Sequence, residues 1–522
     1  MKSKISLLDC TLRDGGYITE WNWGFKKASD IITFLVEANI DIVEVGFLKN
    51  VSDYNEDKVI CNRVEELNRL LPLEQGNSIF SAMAMNGSYD IDNLEEYCGT
   101  GIEMIRVTAH NYDIWEGLEF AERVKKKGYK VCINPINIMG YSDKSILNLI
   151  EKVNEIMPYQ FSIVDTFGSM KRRDLDRLVS LIDNNLDSGI KLGLHLHENM
   201  AQSFYLAQLF IDKSLTRKCV IDGSLMGIGR TPGNLPIELI ADYLNEYGSG
   251  TYDIDYMMDA IQDYIFTIKG KSEWGYSPVY FLSAHYNLHR NYAEFYLDKG
   301  DLTIREINHI LARIETDKST DFDREYADKL YLEFMDHRIN DADARMQLQK
   351  EFINKSILIL APGRSIKEYK GEIEKAITKN ELCTVSLNFI PNDFYIQYAF
   401  FSNSRRLSKL GKHECKMITT SNLVSDLSDY IVDYNSLTSA CKYGNNSLLM
   451  LLNLLSQLGI SHVFLAGADG FSPENMDYYE PTMIRGTAKE KNYNSNIAKA
   501  LGELRIKLTF LTPSEYERYY TA

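Results

Sequence analysis

The chain has 522 residues, of which 45% are hydrophobic and 25% charged, and its formal net charge is −16. This length exceeds one ordinary folding unit, so at least two domains are expected. The composition is that of a globular protein, and no apolar run reaches the roughly 18 to 20 residues that a membrane span requires. The negative charge opposes binding to phosphate backbones, and the short basic run at 171–173 does not reverse it, so no nucleic-acid partner is expected.

Two features concern the cellular compartment. The first segment, "MKSKISLLDCTLRDGG", has neither the long apolar core nor the small-residue cleavage site of a secretory signal. The eight cysteines are scattered without a CxxC pair, which favours reduced thiols over disulfides or a zinc cluster. We therefore expect a cytoplasmic protein.

Up to about residue 245, short β-like segments alternate with amphipathic helical ones, a pattern typical of a parallel α/β sheet. Eight strands, each followed by a helix, match the size of a (β/α)₈ TIM barrel, which is about 250 residues. A doubly wound sheet is the alternative, but the first turn, "TLRDGGY", carries charge where a glycine-rich phosphate turn needs glycine. We predict a barrel over 1–250, with strands at 5–9, 41–46, 78–84, 104–109, 130–135, 161–165, 191–197 and 219–225.

The rest of the chain predicts a helical extension and a second α/β domain. Between 251 and 352, "TIREINHILARI" and "DADARMQLQKEF" have apolar residues three and four apart, as in helices. From 353 to 522, β-like segments at "KSILIL", "CTVSLNF" and "HVFLAGADG" indicate a Rossmann-like domain. Its first strand runs into a turn with Gly363 and Ser365 at a helix start, which suits a phosphate, although such turns are common in α/β proteins.

Polar residues follow the predicted barrel strands at their carboxyl ends, where barrel enzymes hold their active sites. The set consists of Asp9, Arg13, Asp14, Glu44, His110, Asn134, Asp165, His195, His197 and Asp222.

The stretch "LGLHLHEN" places His195 and His197 two residues apart on a strand, so both face the same way. Two neutral imidazoles suit a divalent metal if a carboxylate joins them, and Asp14 is close across the seam of a closed barrel. Two hydrogen-bonded histidines without a metal are the alternative. Because no set of thiolates is present, we expect Mn²⁺ or Mg²⁺ rather than structural zinc.

Arg13, beside Asp14, supplies a fixed positive charge suited to an enolate or carboxylate oxygen, and a buried ion pair with Glu44 is compatible with that role. A divalent metal and this arginine would polarise the carbonyl of a 2-oxo acid and hold the charge formed when the bond beyond its α-carbon breaks. The residues thus predict a metal-dependent aldolase or lyase.

Four motifs resemble those of the DRE-TIM metallolyases, above all the 4-hydroxy-2-oxovalerate aldolases: "DCTLRDGGY", "VEVG", "LHLHEN" and "GIGRTPGNLPIELI". HMG-CoA lyase and the isopropylmalate and citramalate synthases are relatives of this family. The resemblance covers roughly the first 300 residues and implies a TIM barrel. It also implies that Arg13 stabilises an enolate, that Glu44 positions the arginine, and that the metal ligands are Asp14, His195 and His197, with Asn234 nearby.

One position departs from the family. The aldolases carry a histidine base after the Arg-Asp-Gly turn, where this chain has Tyr17. A free tyrosine, with a pKa of about 10, is a poor base at pH 7, so either His110 takes the proton or the substrate differs. The resemblance further places Tyr280, within an aromatic segment after the barrel, at a catalytic tyrosine position, although such segments most often belong to a core.

The C-terminal segments "ILILAPGRSIKEY", "VSLNFIPNDFYIQYAFFSNSRRL" and "LLNLLSQLGISHVFLAGADGFS" resemble the Rossmann-like domain of bacterial sialyltransferase-type proteins and their surface-polysaccharide relatives. That resemblance implies that the first glycine turn and Asn388 contact a nucleotide or nucleotide sugar. A domain used only for assembly would keep the same skeleton.

The expected function is that of an aldolase that makes or cleaves a C–C bond between pyruvate, or a related 2-oxo acid, and an aldehyde, which could be sugar-derived. The alternatives are an acyl-CoA Claisen-type synthase or lyase, a polysaccharide-pathway protein with a glycosyltransferase-like C-terminal module, and an inactive barrel used for binding. We expect a homo-oligomer, whose subunit number the sequence does not give.

Overall fold

The computed structural model describes residues 5–230, 232–248, 250–300, 302–336, 338–411, 413–423, 425–438, 446–471, 478–479, 492–504 and 506–520. The chain divides into two compact units: Met1–Asn291 with Glu315–Phe322, and Tyr292–Ile314 with Asp323–Ala522. The segment 251–352, expected as one helical extension, contributes helices to both. Its last helix, Ala342–Phe352, joins the second unit because the Phe352 ring packs against Tyr398, with ring centroids 4.8 Å apart.

The first unit contains the predicted TIM barrel. Its parallel strands pair in the order β1-β9-β8-β7-β6-β5-β4-β2, and the barrel closes because β1 pairs with both β9 and β2, while the short β3 lies beside β2. All eight predicted strands are present within two residues of their expected ends. The strands are β1 (Ile5–Asp9), β2 (Ile42–Leu48), β3 (Ile60–Cys61), β4 (Ile79–Met85), β5 (Met104–Ala109), β6 (Lys130–Pro135), β7 (Gln160–Asp165), β8 (Lys191–Leu196) and β9 (Cys219–Gly223).

Amphipathic helices surround these strands and bury their apolar faces against them. The longer helices of the barrel are Phe25–Glu37, Ile114–Lys126, Asp143–Ile156, Arg172–Asp183, Ser203–Asp212 and Ile237–Glu246. Shorter helices are Thr11–Asp14, Gly16–Thr19, Val64–Asn68, Ile254–Ala260, Phe266–Lys269 and Pro278–His285.

The barrel interior is layered, and this layering places the polar residues. Leu8, Ile42, Met104, Cys132 and Val220 form an apolar cluster inside the barrel. Because strand side chains alternate between faces, the residue two positions further along each strand points inward again, one layer nearer the carboxyl end. This second layer contains Cys10, Glu44, Arg106, Asn134 and Asp222.

The second unit contains a parallel sheet of seven strands in the order β14-β13-β12-β11-β10-β15-β16. The sequence predicted β10, β11 and β15, but it did not predict β12, β13, β14 and β16. The strands are β10 (Ile357–Leu360), β11 (Cys383–Leu387), β12 (Tyr398–Phe401), β13 (Lys416–Thr420), β14 (Tyr430–Val432), β15 (His462–Ala466) and β16 (Lys507–Phe510). Its helices are Asn291–Lys299, Ile304–Leu311, Arg324–Met335, Ala342–Phe352, Ser365–Glu368, Lys370–Asn380, Ser404–Leu407, Tyr434–Leu437, Ser447–Gln457 and Tyr493–Glu503.

The seven described cysteines are all free thiols, as expected, and Cys441 lies outside the described residues. None of the described helices combines the length and the apolar character needed to cross a membrane.

Candidate active site

The turn after the first strand is held rigidly. The strand ends at Asp9 and leads into a one-turn helix, Thr11–Asp14. The Asp9 carboxylate accepts a hydrogen bond from the backbone N–H of Thr11 at 2.9 Å. The indole N–H of Trp21 donates to the carbonyl of Arg13 at 3.0 Å. These contacts fix the direction in which the buried arginine leaves the backbone.

Arg13 joins two carboxylates at the carboxyl end of the barrel. Its Nε donates to Oε2 of Glu44 at 2.7 Å, and its Nη1 donates to Oδ1 of Asp14. The exposed fractions of these side chains are 7% or less. The pairing of β2 with β4 shifts register between Glu44 and Gly46, and a Cβ on this glycine would lie 2.2 Å from the carbonyl oxygen of Val59. The bulge that aims Glu44 at the arginine therefore requires glycine.

Arg106 is a central charge of the site that the sequence analysis did not single out. Its Nη1 donates to Oε2 of Glu44 at 3.0 Å, and its Nη2 donates to Asp222 and to Oδ1 of Asn134, the latter at 3.2 Å. Its side chain is 1% exposed. The available signal was a lone cation within the apolar strand segment "MIRVTA", because a buried arginine needs carboxylate partners.

His195 and His197 lie side by side, as their spacing predicts, with ring centroids 4.9 Å apart. The strand ends at Leu196, so His197 lies just beyond it and forms an isolated bridge with Asn234. Nδ1 of His195 is 3.1 Å from Oδ2 of Asp222, and Nδ1 of His197 is 2.9 Å from the carbonyl oxygen of Asp165. Because both partners are acceptors, each Nδ1 carries a proton, and Nε2 is the ring atom of each histidine that could bind a metal.

Asn234 links the motif after the last barrel strand to Asp14. Its Nδ2 donates to Oδ2 of Asp14 at 2.7 Å. Its Oδ1 is buried and has no hydrogen-bond partner among the described residues. A Cβ on Gly229 would lie 2.4 Å from Oδ2 of Asp14 and 2.3 Å from Nδ2 of Asn234. Glycine at 229 therefore allows the two ligand-type side chains to meet.

The charges of the predicted ligand residues suit a cation. Burial alone would raise the pKa of Asp14, but the charge of Arg13 and the two neighbouring histidines lower it to about 2. Burial and the neighbouring His195 lower the pKa of His197 to about 4. At neutral pH the carboxylate is therefore ionised and the His197 imidazole is neutral, the states in which both ligate metals.

The donor atoms are of the kinds that bind a divalent ion, but in this structure they do not form a complete set of metal ligands. Among the described residues, no group of three or more His, Cys, Asp or Glu side chains is arranged to hold a metal ion. Asp14 is instead engaged by Arg13 and Asn234. A buried amide oxygen without a partner, on Asn234, is nevertheless an unusual feature in a folded protein, and oxygen and imidazole donors together suit Mn²⁺ or Mg²⁺.

An open pocket of about 330 Å³ adjoins His197. Its walls combine apolar side chains with two arginines and a second histidine, and none of the described lining residues is acidic. The lining residues are Thr166, Phe167, His197, Asn199, Arg230, Pro232, Leu288, His289 and Arg290.

The three candidate proton-transfer residues lie around this region in different settings. Tyr17 is 41% exposed, and the guanidinium of Arg230 lies 5.4 Å from the centre of its ring. The ring of His110 stacks on Tyr112, with centroids 4.9 Å apart. Tyr280 lies on the helix Pro278–His285, and its backbone carbonyl accepts a hydrogen bond from the side chain of Asn199 at 3.3 Å.

The residues predicted to meet a nucleotide lie in the second unit. The backbone N–H of Ser365 donates to Oδ2 of Asp469 at 3.0 Å, and the Ser365 hydroxyl also donates to this carboxylate. A Cβ on Gly363 would lie 2.4 Å from Cγ of Asp469. Asn388 follows β11 with φ of 57° and donates from Nδ2 to Oγ of Ser447 at 2.6 Å. A phosphate at this turn would therefore have to displace a carboxylate of the chain.

Comparisons with known proteins place the barrel in a family. The family described as HMGL-like matches residues 4–263. The 4-hydroxy-2-oxovalerate aldolase of Marinomonas sp. is 25% identical over 273 residues, which cover 51% of this chain and 78% of that protein. The oxaloacetate decarboxylase of Mycobacterium tuberculosis is 23% identical over 255 residues, which cover 49% of this chain and 74% of that protein.

Among solved structures, the N-terminal domain of a candidate aldolase from Bacteroides vulgatus has a TM-score of 0.50 and 24% sequence identity. The match covers 56% of this chain and 96% of that structure, and it supports the barrel fold. The four motifs "DCTLRDGGY", "VEVG", "LHLHEN" and "GIGRTPGNLPIELI" all lie within residues 4–263. Residues 4–263 therefore belong to the HMGL-like family, the divalent-metal-dependent aldolases and lyases of the DRE-TIM metallolyase superfamily.

Proposed function

We propose that this protein is an aldolase that makes or cleaves the C–C bond between pyruvate, or a related 2-oxo acid, and an aldehyde. The observation that carries the proposal is the junction of Arg13, Asp14 and Asn234, with the imidazoles of His195 and His197 close to Asp14. It combines a fixed cation with oxygen and nitrogen donors at the carboxyl end of the barrel, where barrel enzymes react.

The donors for the metal are Asp14, His195, His197 and the amide oxygen of Asn234. A bound Mn²⁺ or Mg²⁺ supplies Lewis acidity toward the carbonyl of the 2-oxo acid. Asp222 and the Asp165 carbonyl hold the two imidazoles through Nδ1, which sets the direction of each Nε2.

Arg13 acts on the charge that develops on the substrate. Glu44 accepts from Nε and Asp14 from Nη1, so the guanidinium is oriented before substrate arrives. A preoriented cation in a buried site stabilises an enolate oxygen without reorganisation during the reaction. Glu44 acts as a positioning residue through its contact with Arg13, and Arg106 acts through its contact with Glu44.

Two residues compete for the role of the base. Tyr17 lies beside Arg230, whose guanidinium is 5.4 Å from the centre of its ring, whereas His110 directly follows the carboxyl end of β5. His289 is a poorer choice, because burial and the charges of Arg230 and Arg290 lower its pKa to about 3. Comparing Tyr17→Phe with His110→Gln separates them: the variant of the true base loses proton transfer at C3 of pyruvate, and the other retains it.

The proposal is tested by removing and restoring the metal. Protein treated with EDTA should release no pyruvate from a panel of 4-hydroxy-2-oxo acids, and resupplied Mn²⁺ or Mg²⁺ should restore release. If no member of the panel released pyruvate in a metal-dependent way, the aldolase proposal would fail. A parallel assay of thiol release from acetyl-CoA with the same 2-oxo acids tests the Claisen-type alternative.

A second candidate function concerns the second unit, where we propose a nucleotide or nucleotide-sugar site. Strand order reverses there at β10, which pairs with β11 on one side and β15 on the other. Ligands of open α/β sheets bind at such a reversal, outside the carboxyl ends of the strands. Gly363 and Asn388 follow two of these strands. Calorimetric titration of the full chain with CMP and UDP tests the site, and the absence of binding by both would exclude it.

A further inference from the structure

The pocket beside His197 has a charge opposite to that of the whole chain. Arg230 and Arg290 both line it, and none of its described lining residues is a carboxylate, although the net charge of the protein is −16. Phe167, Pro232 and Leu288 supply apolar walls. A half-buried guanidinium presents a rigid fork of N–H donors that suits a carboxylate or a phosphate.

The position of Arg230 is fixed on three sides. Its backbone N–H lies 3.3 Å from Oδ2 of Asp14, its Nη2 lies 3.0 Å from Nε2 of His289, and its guanidinium lies over the ring of Tyr17. Neither of the two side chains that contact the guanidinium, His289 and Tyr17, is a carboxylate. Among the described residues, the guanidinium of Arg230 has no carboxylate partner. Its remaining N–H groups are therefore suited to a ligand.

His289 holds this arginine without neutralising it. Because a guanidinium only donates, Nε2 of His289 is the acceptor and the imidazole is neutral. Burial, followed by the charges of Arg230, Arg290 and His110, lowers the pKa of His289 to about 3, so it stays neutral across the physiological range. The backbone N–H of His289 donates to the carbonyl of Ser319 at 2.7 Å, which anchors the segment that carries it.

We infer that Arg230 and Arg290 form an anion subsite for the acceptor aldehyde, which therefore carries a carboxylate or a phosphate. The inference rests on the proposed function, in which Arg13 and the predicted metal ligands already account for the 2-oxo acid. A second cationic region beyond His197 is not needed for pyruvate and a neutral aldehyde. The apolar side chains of Phe167 and Leu288 suit the carbon chain between the two ends of the product.

Binding is tested first, by calorimetry on the full-length protein. Glycerol 3-phosphate and succinate represent the two anion types, and glycerol is the neutral control. We expect at least one anion to bind about 10-fold or more tightly than glycerol, as for charge-assisted hydrogen bonds.

The variants test whether the two arginines cause this difference in affinity. Arg230→Gln and Arg290→Gln should remove the difference, and Arg290→Lys should retain part of it. Arg172→Gln, on an exposed helix position, is the matched control and should leave the difference unchanged.

Catalysis is tested with paired acceptors in the presence of pyruvate and Mn²⁺. Glyceraldehyde 3-phosphate is compared with glyceraldehyde, and succinic semialdehyde with butanal. We expect kcat/KM to be about 10-fold or more higher for the charged member of one pair, which also identifies the anion. Equal binding of both anions and glycerol, or equal kcat/KM within both pairs, would overturn the subsite. Loss of metal-dependent deuterium exchange at C3 of pyruvate would instead defeat the proposed function and leave the calorimetry to decide the subsite.

Discussion

Nε of Arg13 lies 2.7 Å from Oε2 of Glu44, and both side chains are buried at the carboxyl end of the barrel. Glu44→Gln keeps the shape of the side chain but removes the charge that orients the guanidinium. We expect kcat/KM for aldol cleavage to fall about 100-fold, as for a displaced catalytic group. The loss should be mainly in kcat, because the transition state carries more charge than the ground state. An unchanged kcat in a variant that unfolds at the same temperature would contradict this role.

Arg106 is expected to stabilise the barrel. Arg106→Met would leave the carboxylates of Glu44 and Asp222 buried without their shared cation, which should cost about 3 to 5 kcal/mol of unfolding free energy. The four tryptophans, Trp21, Trp23, Trp115 and Trp274, all lie in the first unit, so urea unfolding followed by tryptophan fluorescence reports on that unit alone.

The matched control for this measurement is Arg123→Met. Arg123 is 54% exposed and pairs with an exposed Asp92, so its loss should cost no more than about 1 kcal/mol. If the two methionine variants unfolded at the same urea concentration, Arg106 would not be the shared partner of the buried carboxylates.

Gly229 should be intolerant of any side chain. A methyl group there would lie 2.4 Å from Oδ2 of Asp14 and 2.3 Å from Nδ2 of Asn234, so one of these ligand-type groups must move. We expect Gly229→Ala to weaken Mn²⁺ binding at least about 10-fold, measured by calorimetry. Gly270→Ala, whose added methyl group would come no closer than 3.8 Å to another residue, is the control. Equal Mn²⁺ affinity in both variants would argue against Asp14 and Asn234 as ligands.

The sequence predicted the barrel well because its strands have strong, regular signals. Each is buried on both faces and reads as a nearly continuous apolar segment, bounded by a turn and an amphipathic helix. The second unit was predicted less completely. Short strands such as Tyr430–Val432 depend on pairing with β13, and three residues give no periodicity to detect.

The site was predicted in part, for a related reason. Motif spacing placed Asp14, His195 and Asn234 at one end of the barrel, and the structure brings the first and last within 2.7 Å. Motif spacing did not identify Arg106 or His289. The roles of these two residues come from contacts across the barrel and with residues far along the chain. Such long-range pairing is a property of the fold rather than of local sequence.

A cluster in the second unit gives a pH-dependent prediction. Burial raises the pKa of Glu351, but hydrogen bonds from Lys416, Tyr398 and Tyr430 have the larger opposite effect. Together they lower the pKa from its ordinary value of 4.5 to about 2. The carboxylate therefore contributes stability above about pH 4.5 that is lost as the pH falls toward 2.

Glu351→Gln removes this contribution, so the variant should be less stable than the native protein at pH 7, and the difference should shrink below pH 4.5. Hydrogen exchange of peptides from β12 and β14, compared between the two proteins at each pH, measures it locally. Glu372→Gln, at an exposed position of the same unit, should show no such trend. A difference that grew on acidification would show that Glu351 is not stabilised as the carboxylate.

The most direct test of the aldolase proposal is exchange of the C3 hydrogens of pyruvate for deuterium in D₂O, followed by proton NMR. The exchange requires enolate formation but no aldehyde. We expect EDTA-treated protein to be inactive, Mn²⁺ or Mg²⁺ to restore exchange, and Arg13→Met to abolish it even with metal. Exchange that proceeds equally without metal, or that Mn²⁺ and Mg²⁺ both fail to support, would contradict a metal-dependent aldolase.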